Sequence, residues 1–365
     1  MVIEGVRESI KDVSTYVYGK TVEEIKDDYG LESIAKLCFN ENPYAPYPCC
    51  REAIKNEMDK LNCYPDSKYV ELKEIIGNKL NLSKENVALS HGIVGILETL
   101  SKMFLESGDE VIIPESTFGL YEDLSKTMGA KIKRTKIRDG KIDIEDILSN
   151  ITPKTKLIWI SNPNNPTGTI INKDEFDYLI TNIPDHVWII FDEAYYEFAA
   201  GGDYPDSVSA VQEGEKIILT RTFSKGYGMA GLRLGYALAH EKVIDTINRV
   251  SQPFNSNRAA LAGAKAVLEN ESCSREAINK INESKKHITS ELKELGCKVF
   301  PSYTNFIFFK TPYPAENIIN ELLQNGVMVT PGTAWGYEKG VRVSIGKPEE
   351  NERFLNELKK LIIEE

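Results

Sequence analysis

The residues best suited to chemistry in this chain lie in one run, Arg221-Thr222-Phe223-Ser224-Lys225-Gly226-Tyr227-Gly228-Met229-Ala230-Gly231-Leu232-Arg233-Leu234-Gly235-Tyr236. Hydroxyls stand one and three residues before Lys225, an arginine follows eight residues after it, and small residues fill most of the gap. A lysine that must form a Schiff base needs room around its amine, a lowered pKa and an anion site nearby. The hydroxyls and Arg233 could supply that site for a phosphate. The glycines let backbone come close to a flat ring. Taken alone, the run fits a basic surface loop before a strand equally well.

Three other runs add to it. Ser161-Asn162-Pro163-Asn164-Asn165-Pro166-Thr167-Gly168 follows an apolar, strand-like segment, and its Asn-Pro pairs are also ordinary turn chemistry. Val187-Trp188-Ile189-Ile190-Phe191 leads into Asp192-Glu193-Ala194-Tyr195. A carboxylate at the end of an apolar strand is costly without a partner, although an isolated Asp there also serves as a helix N-cap. Arg342, in Val341-Arg342-Val343-Ser344-Ile345-Gly346, interrupts an apolar run, which is unusual unless it faces a ligand or an ion pair. Its planar fork suits a carboxylate.

These residues need a scaffold, and the chain is long enough for two lobes, with 365 residues. Its 41% hydrophobic and 27% charged content are those of a globular protein. A net charge of −11 and a pI near 5.2 argue against a general nucleic-acid binder, though not against a local positive pocket. The first residues lack a basic segment followed by an apolar one, so no signal peptide is read. No apolar run approaches a membrane span. The cysteines at 38, 49, 50, 63, 273 and 297 form neither a zinc pattern nor a disulfide framework, and a reducing cytoplasm is the simplest setting.

From 86 to 236 the pattern alternates, with strands expected at 87–90, 110–114, 131–136, 157–160, 188–191, 216–219 and 234–237. Helices are expected at 94–104, 118–128 and 173–180, among others. Apolar strands separated by helices imply a mostly parallel sheet sandwiched by helices. The runs around 161, 192 and 222 follow such strands, where α/β ligand sites sit. Before this lie an N-terminal arm (1–36) with a short helix at 21–28, a proline-rich loop at 40–48, and helices at 51–60 and 70–78. After it, one long helical stretch at 258–295 crosses to a smaller α+β lobe. That lobe has strands at 306–309, 327–329 and 340–345 and helices at 314–324 and 349–363. The expected division is arm 1–36, large domain 37–257 and small domain 258–365.

In this order and spacing the runs resemble the fold-type I pyridoxal-phosphate (PLP) aminotransferases of class I and II, over nearly the whole chain. The resemblance implies a cofactor site. Lys225 is its Schiff-base lysine and the base that moves the α-proton, and Asp192 is the partner of the pyridinium N–H. Tyr195 and Asn165 hydrogen-bond the phenolic oxygen. Thr222, Ser224 and Arg233 form the phosphate cup, with Gly92 and Ile93 at a helix start where free N–H groups suit phosphate. Relatives place a hydroxyl or carboxylate in that turn, but here it reads Ser90-His91-Gly92-Ile93-Val94-Gly95, so only backbone is available at Ile93. Phe118 matches the aromatic that stacks on the ring. Tyr64, in Tyr64-Pro65-Asp66, matches a tyrosine that reaches the neighbouring subunit's site, which implies a homodimer. Arg342 matches the carboxylate-binding arginine, and Tyr16, Asn40 and Asn165 join it as substrate-binding residues.

Further runs resemble the histidinol-phosphate aminotransferase-like subgroup. They are Tyr16-Val17-Tyr18-Gly19-Lys20-Thr21-Val22-Glu23-Glu24, Asn40-Glu41-Asn42-Pro43, Tyr64-Pro65-Asp66, Gln252-Pro253-Phe254-Asn255 and Gly346-Lys347-Pro348-Glu349-Glu350-Asn351. Members acting on histidinol phosphate usually carry a second arginine shortly before Arg342. Here the strand reads Val327-Met328-Val329-Thr330, and the following Pro331-Gly332-Thr333-Ala334-Trp335-Gly336 looks like aminotransferases of ordinary α-amino acids. Arg258 is a candidate to compensate. The implied activity is ping-pong transfer of an amino group from an L-amino acid or histidinol phosphate to a 2-oxo acid. The alternatives are a PLP-dependent lyase, decarboxylase or cyclase using the same lysine, and a non-catalytic PLP-binding protein.

Overall fold

A computed structural model describes residues 4–11, 13 and 20–363. Helix α1 (Val22–Tyr29) opens with a capping box between Thr21 and Glu24. Strand β1 (Ala35–Lys36) follows, then α2 (Pro48–Glu57), α3 (Val70–Lys79), β2 (Val87–Ser90) and α4 (Gly92–Phe104). Next come β3 (Glu110–Pro114), α5 (Leu120–Thr127), β4 (Lys131–Thr135), a small β5–β6 ribbon (Ile137–Arg138, Lys141–Ile142) and α6 (Ile144–Ser149). The sheet resumes with β7 (Thr155–Ser161), α7 (Lys173–Asn182), β8 (Trp188–Asp192), α8 (Tyr196–Ala199), α9 (Ser207–Gln212), β9 (Ile217–Thr222), β10 (Gly235–Leu238) and α10 (Glu241–Val250). The last part holds α11 (Arg258–Glu269), α12 (Glu271–Glu294), β11 (Lys298–Val299), β12 (Phe306–Lys310) and α13 (Ala315–Gln324). It ends with β13 (Val327–Met328), β14 (Thr330–Pro331), β15 (Gly340–Ser344) and α14 (Pro348–Ile363).

The main sheet has the order β2-β10-β9-β8-β7-β3-β4. The strands from β4 to β9 are parallel, and β10 is antiparallel to both its neighbours. The apolar runs of these strands are buried on both faces. Ile158, Ile160, Ile189, Phe191, Ile217 and Leu219 join one core, while Leu157, Trp159, Ile190 and Ile218 join another. That alternation is the period of two of a strand, and it explains why the strands read as continuous hydrophobic segments. The smaller sheet, β11-β12-β15-β14, is antiparallel and packs with α12, α13 and α14 around a third core.

Some expectations change. The helical stretch at 258–295 breaks at Asn270, which takes φ −123 and ψ 55 and turns its side-chain amide onto the Ala266 carbonyl at 2.8 Å. The strand at 327–329 splits, because β13 pairs with β1 and β14 pairs with β15. The lobes also share elements across the expected boundaries at 36/37 and 257/258. Helix α11 sends Ala260, Ala264 and Val267 into the core of α2 and α3, whereas Ala35 and Leu37 join the small-lobe core. The change of core falls inside α12, where Ala277 faces the first cluster and Ile281, Ile288 and Leu292 the other. Among the described residues no helix is long and apolar enough to cross a membrane.

Candidate active site

Three of the parallel strands deliver the expected residues side by side. Asp192 ends β8 between Ser161 of β7 and Thr220 of β9. Two residues on, Thr222 pairs with Gly235, and Gly235 pairs with Ser90 at the end of β2, so the Lys225 loop and the start of α4 are neighbours. The close approach depends on glycine. A Cβ on Gly235 would stand 2.6 Å from the Ile93 nitrogen, and one on Gly92, whose φ is +76, would stand 2.6 Å from Arg233 Nη2.

Helix α4 begins at Gly92, two residues before the expected start, so Gly92 and Ile93 supply its first free N–H groups. The Ile93 side chain is buried in the core, which leaves its backbone for the site. Arg233 Nη1 reaches Ser224 Oγ at 3.5 Å and the Ala230 carbonyl at 3.0 Å. Thr222 Oγ1 accepts from the Ser224 N–H at 3.1 Å. A guanidinium, two hydroxyls and a helix N-terminus are thus neighbours, a combination suited to a phosphate.

Lys225 Nζ donates to the carbonyls of Phe39 at 2.9 Å and Asn40 at 3.1 Å. Burial of the amine lowers its pKa to about 7, and the charges of Arg342 and Arg233 push the same way against Glu41. Asp192 is buried, and burial lifts its pKa to about 6, opposed by hydrogen bonds from Tyr121 and from the Ala194 N–H. Tyr121 Oη donates to Asp192 Oδ2 at 2.6 Å, and the Ala194 N–H to Oδ1 at 3.1 Å. Phe118, half-buried, meets the Tyr121 ring edge-on at 5.5 Å. It lies before α5, which starts at Leu120 instead of at 118.

Arg342 Nη1 donates to Asn165 Oδ1 at 2.6 Å, and Nη2 to the Cys38 carbonyl at 2.8 Å and Thr330 Oγ1 at 3.2 Å. Arginine is only a donor, so this bond fixes the Asn165 amide with its oxygen toward Arg342 and its NH₂ away. Trp335 lies over Arg342, its ring centroid 5.2 Å from the guanidinium, and is clipped to the Thr117 carbonyl through Nε1 at 3.0 Å.

Asn40 has a different place from the one expected. Its side chain is spent inside the protein, with Nδ2 donating to Tyr195 Oη at 2.9 Å and Oδ1 accepting from Ser344 Oγ at 2.9 Å. It therefore sets Tyr195 and, through its carbonyl, Lys225. It stands at φ 55, a left-handed conformation that Asn tolerates better than most residues. Tyr64 is 77% exposed and stacks on Phe254 at 4.5 Å, beside a cavity of about 540 Å³ lined also by Leu61, His91 and Asn255. Arg258, considered as a second substrate cation, is instead paired with Glu57 at 2.8 Å and donates to the Tyr64 carbonyl at 3.1 Å. Tyr16 lies outside the described residues.

Sequence reasoning missed Tyr121, Ser344, Asn305 and a buried ion pair. Ser344 had a signal, since it is two residues from Arg342 and shares its strand face. Asn305 Nδ2 holds the Asn40 carbonyl at 2.9 Å, a contact across 265 positions that no local pattern shows. The pair Glu193–Arg221, at 2.8 Å and almost wholly buried, lies directly behind Asp192 and Thr222, with Tyr196 over the guanidinium at 3.6 Å. Nearby Glu197 is pushed up to about 7 by burial.

Residues 32–358 match the family model described as aminotransferase class I and II. The chain belongs to that family. It is a PLP-dependent aminotransferase of the histidinol-phosphate aminotransferase-like subgroup. It is 37% identical over 358 residues to histidinol-phosphate aminotransferase 2 of Carboxydothermus hydrogenoformans, covering 98% of this chain and 99% of the relative. The corresponding protein of Moorella thermoacetica is 36% identical, with 98% and 92% covered. The fold is that of the Sinorhizobium meliloti histidinol-phosphate aminotransferase solved in complex with pyridoxal-5'-phosphate. The TM-score is 0.91 at 24% identity, covering 100% of this chain and 99% of that one.

Proposed function

We propose that this aminotransferase holds its cofactor between Asp192, Tyr195, Asn165, Phe118 and the Arg233 cup, and its substrate's anionic group on Arg342. The fit rests on features of the site itself. Asp192 is a buried carboxylate that accepts from the neutral Tyr121 hydroxyl and the Ala194 N–H, and it suits a ring N–H. Gly92 leaves room beside Arg233 where any side chain would intrude. The single observation that carries the reading is the placement of the Lys225 amine, 5.8 Å from the Tyr195 ring centre and 3.1 Å from the carbonyl of Asn40, the residue that holds the Tyr195 hydroxyl.

Pyridoxal phosphate, when bound, supplies an aldehyde that takes up amines and a ring that draws electrons from the carbon bearing them. The protein does the rest. Arg342 orients the donor by its anionic group. Lys225 Nζ, which burial shifts toward the neutral amine, takes the proton from the donor's α-carbon and returns one in the reverse sense. Tyr195 Oη and the Asn165 NH₂ hold the ring oxygen, and Asn40 fixes Tyr195. Because donor and 2-oxo acid use the site in turn, Arg342 receives a carboxylate in at least one half-reaction.

Two donors fit this scheme. Histidinol phosphate is supported by the names of the relatives. An L-α-amino acid is supported by Thr330, a neutral residue opposite Arg342 where a second cation would otherwise meet the substrate's anionic group. The protein works as a homodimer in this reading. The exposed apolar side chains Met58, Leu61, Tyr64 and Phe254 support it, with Tyr64 serving the neighbouring site. A reducing, cytoplasmic setting agrees with the free cysteines.

The test is a half-reaction screen. The holoenzyme is mixed with histidinol phosphate or single L-amino acids, without any oxo acid, while the cofactor's absorbance is followed. Loss of the aldehyde absorbance with one equivalent of carbonyl product identifies the donor and supports transamination. Repeated product release with the absorbance unchanged would replace this reading with a lyase or cyclase.

A further inference from the structure

Asp192 has a neighbour to which the proposed function gives no task. Tyr121 is wholly buried, and its hydroxyl lies 2.6 Å from Asp192 Oδ2. Its ring is held independently of that bond. It stacks on Trp159 with centroids 5.2 Å apart and planes 7° apart, and it meets Phe118 edge-on. Trp159 Nε1 in turn donates to Ser125 Oγ at 3.2 Å, and Ser125 Oγ donates to the Tyr121 carbonyl at 2.7 Å. The hydroxyl is therefore aimed at the carboxylate by packing and arrives pre-ordered.

We infer that Tyr121 is a positioning residue that decides which end of the contact between Asp192 and the cofactor's ring nitrogen carries the shared proton. This rests on the reading that Asp192 faces that nitrogen. One proton lies between two bases, giving either carboxylate and N–H⁺ or carboxylic acid and neutral nitrogen. No other atom changes hands. A phenol beside a carboxylate can only donate, and donation to the charged form favours it. Burial and the neighbouring charge of Glu193 work the other way, toward the neutral acid. A hydrogen bond to an ionised group shifts such a balance by about tenfold or more. With the Tyr121 hydroxyl present the proton stays on the ring, where it makes the ring the stronger electron sink. Without it the proton moves toward Asp192.

The experiment uses holoenzyme loaded with pyridoxal phosphate carrying ¹⁵N in the ring, and reads the nitrogen's chemical shift in the parent, Tyr121→Phe and Asp192→Asn proteins. Phenylalanine keeps the stacking on Trp159, so the variant removes only the hydroxyl, and near-UV circular dichroism checks the packing. The inference expects a pyridinium shift in the parent and a neutral-pyridine shift in D192N. Y121F should move toward the neutral position by at least about tenfold in the proton ratio. A Y121F shift equal to the parent's, with D192N displaced, overturns the inference and leaves Tyr121 a packing residue. A D192N shift equal to the parent's overturns the Asp192 reading itself, and this inference with it.

Discussion

Thr330→Arg would place a second guanidinium directly across the strand pair from Arg342. Residues 330 and 342 are register partners between β14 and β15, and Thr330 Oγ1 already lies 3.2 Å from Arg342 Nη2. Cross-strand partners carry their Cβ atoms about 4.5–5.5 Å apart. A cation at 330 therefore approaches whatever anion Arg342 holds. One hydrogen bond to a charged group contributes about 1.5–3 kcal/mol, which is about 10- to 150-fold in kcat/KM. A phosphate monoester, with close to two negative charges, collects that gain. A carboxylate has one charge to share between two guanidinium groups that repel each other, so it gains less. The ratio of kcat/KM for histidinol phosphate over an L-α-amino acid should rise by about 10- to 150-fold. Steady-state assays with both donors and a common 2-oxo acid read the ratio. The lost bond from Thr330 Oγ1 to the Cys38 carbonyl costs about 1 kcal/mol of stability, which a thermal melt checks. A folded T330R protein with an unchanged ratio would refute the argument that residue 330 faces the substrate's anionic group.

Other outcomes follow from the same geometry. Arg342→Gln removes a positive charge that depresses the Lys225 pKa, so the titration near pH 7 moves upward. The pH dependence of cofactor uptake by the apo-protein reads this directly, and a downward move would contradict the stated cause. Glu193→Gln leaves Arg221 buried beside a neutral amide and should cost about 3–5 kcal/mol of stability. Urea denaturation of the parent and variant measures it, and a loss below about 1 kcal/mol would show that Arg221 finds other compensation. Leu61→Glu puts a charge into the exposed apolar patch around Tyr64 and should weaken a homodimer by at least about tenfold. Sedimentation velocity decides it, and an unaltered association state would move the interface elsewhere.

The part of the candidate site around Asp192 and Thr222 could be read from the sequence because these residues end strands whose limits are plain. Strands β2 and β3 fall at their expected bounds, since short β-branched and apolar runs stop at Ser90 and Pro114. Asp192 and Thr222 then follow from where the apolar character ends. The break at Asn270 was not legible, because neither glycine nor proline marks it and the helical pattern continues on both sides. The internal bonds of Asn40 were not legible, because its partners Tyr195 and Ser344 lie 155 and 304 positions away. Arg258 carried no local sign of its pairing with Glu57, which is made across 201 positions where α11 packs on α2. What sequence pattern supplied was the chemistry at strand ends. What it withheld was the web of long-range bonds that holds the chemistry still.

One such bond gives Lys225 a second office. Its amine grips the carbonyls of Phe39 and Asn40, and the segment bearing them is fastened on its other side to Ser344 and Asn305 of the small lobe. The free amine is thus a latch between the lobes as well as a reagent. Whenever Lys225 is drawn into other bonds, the segment at 39–40 loses an anchor and the small lobe gains slack. A compound that captures the amine should leave these residues exchanging their amide hydrogens faster. One that leaves the amine free should keep the strap taut, and hydrogen exchange at 39–42 would tell the two apart.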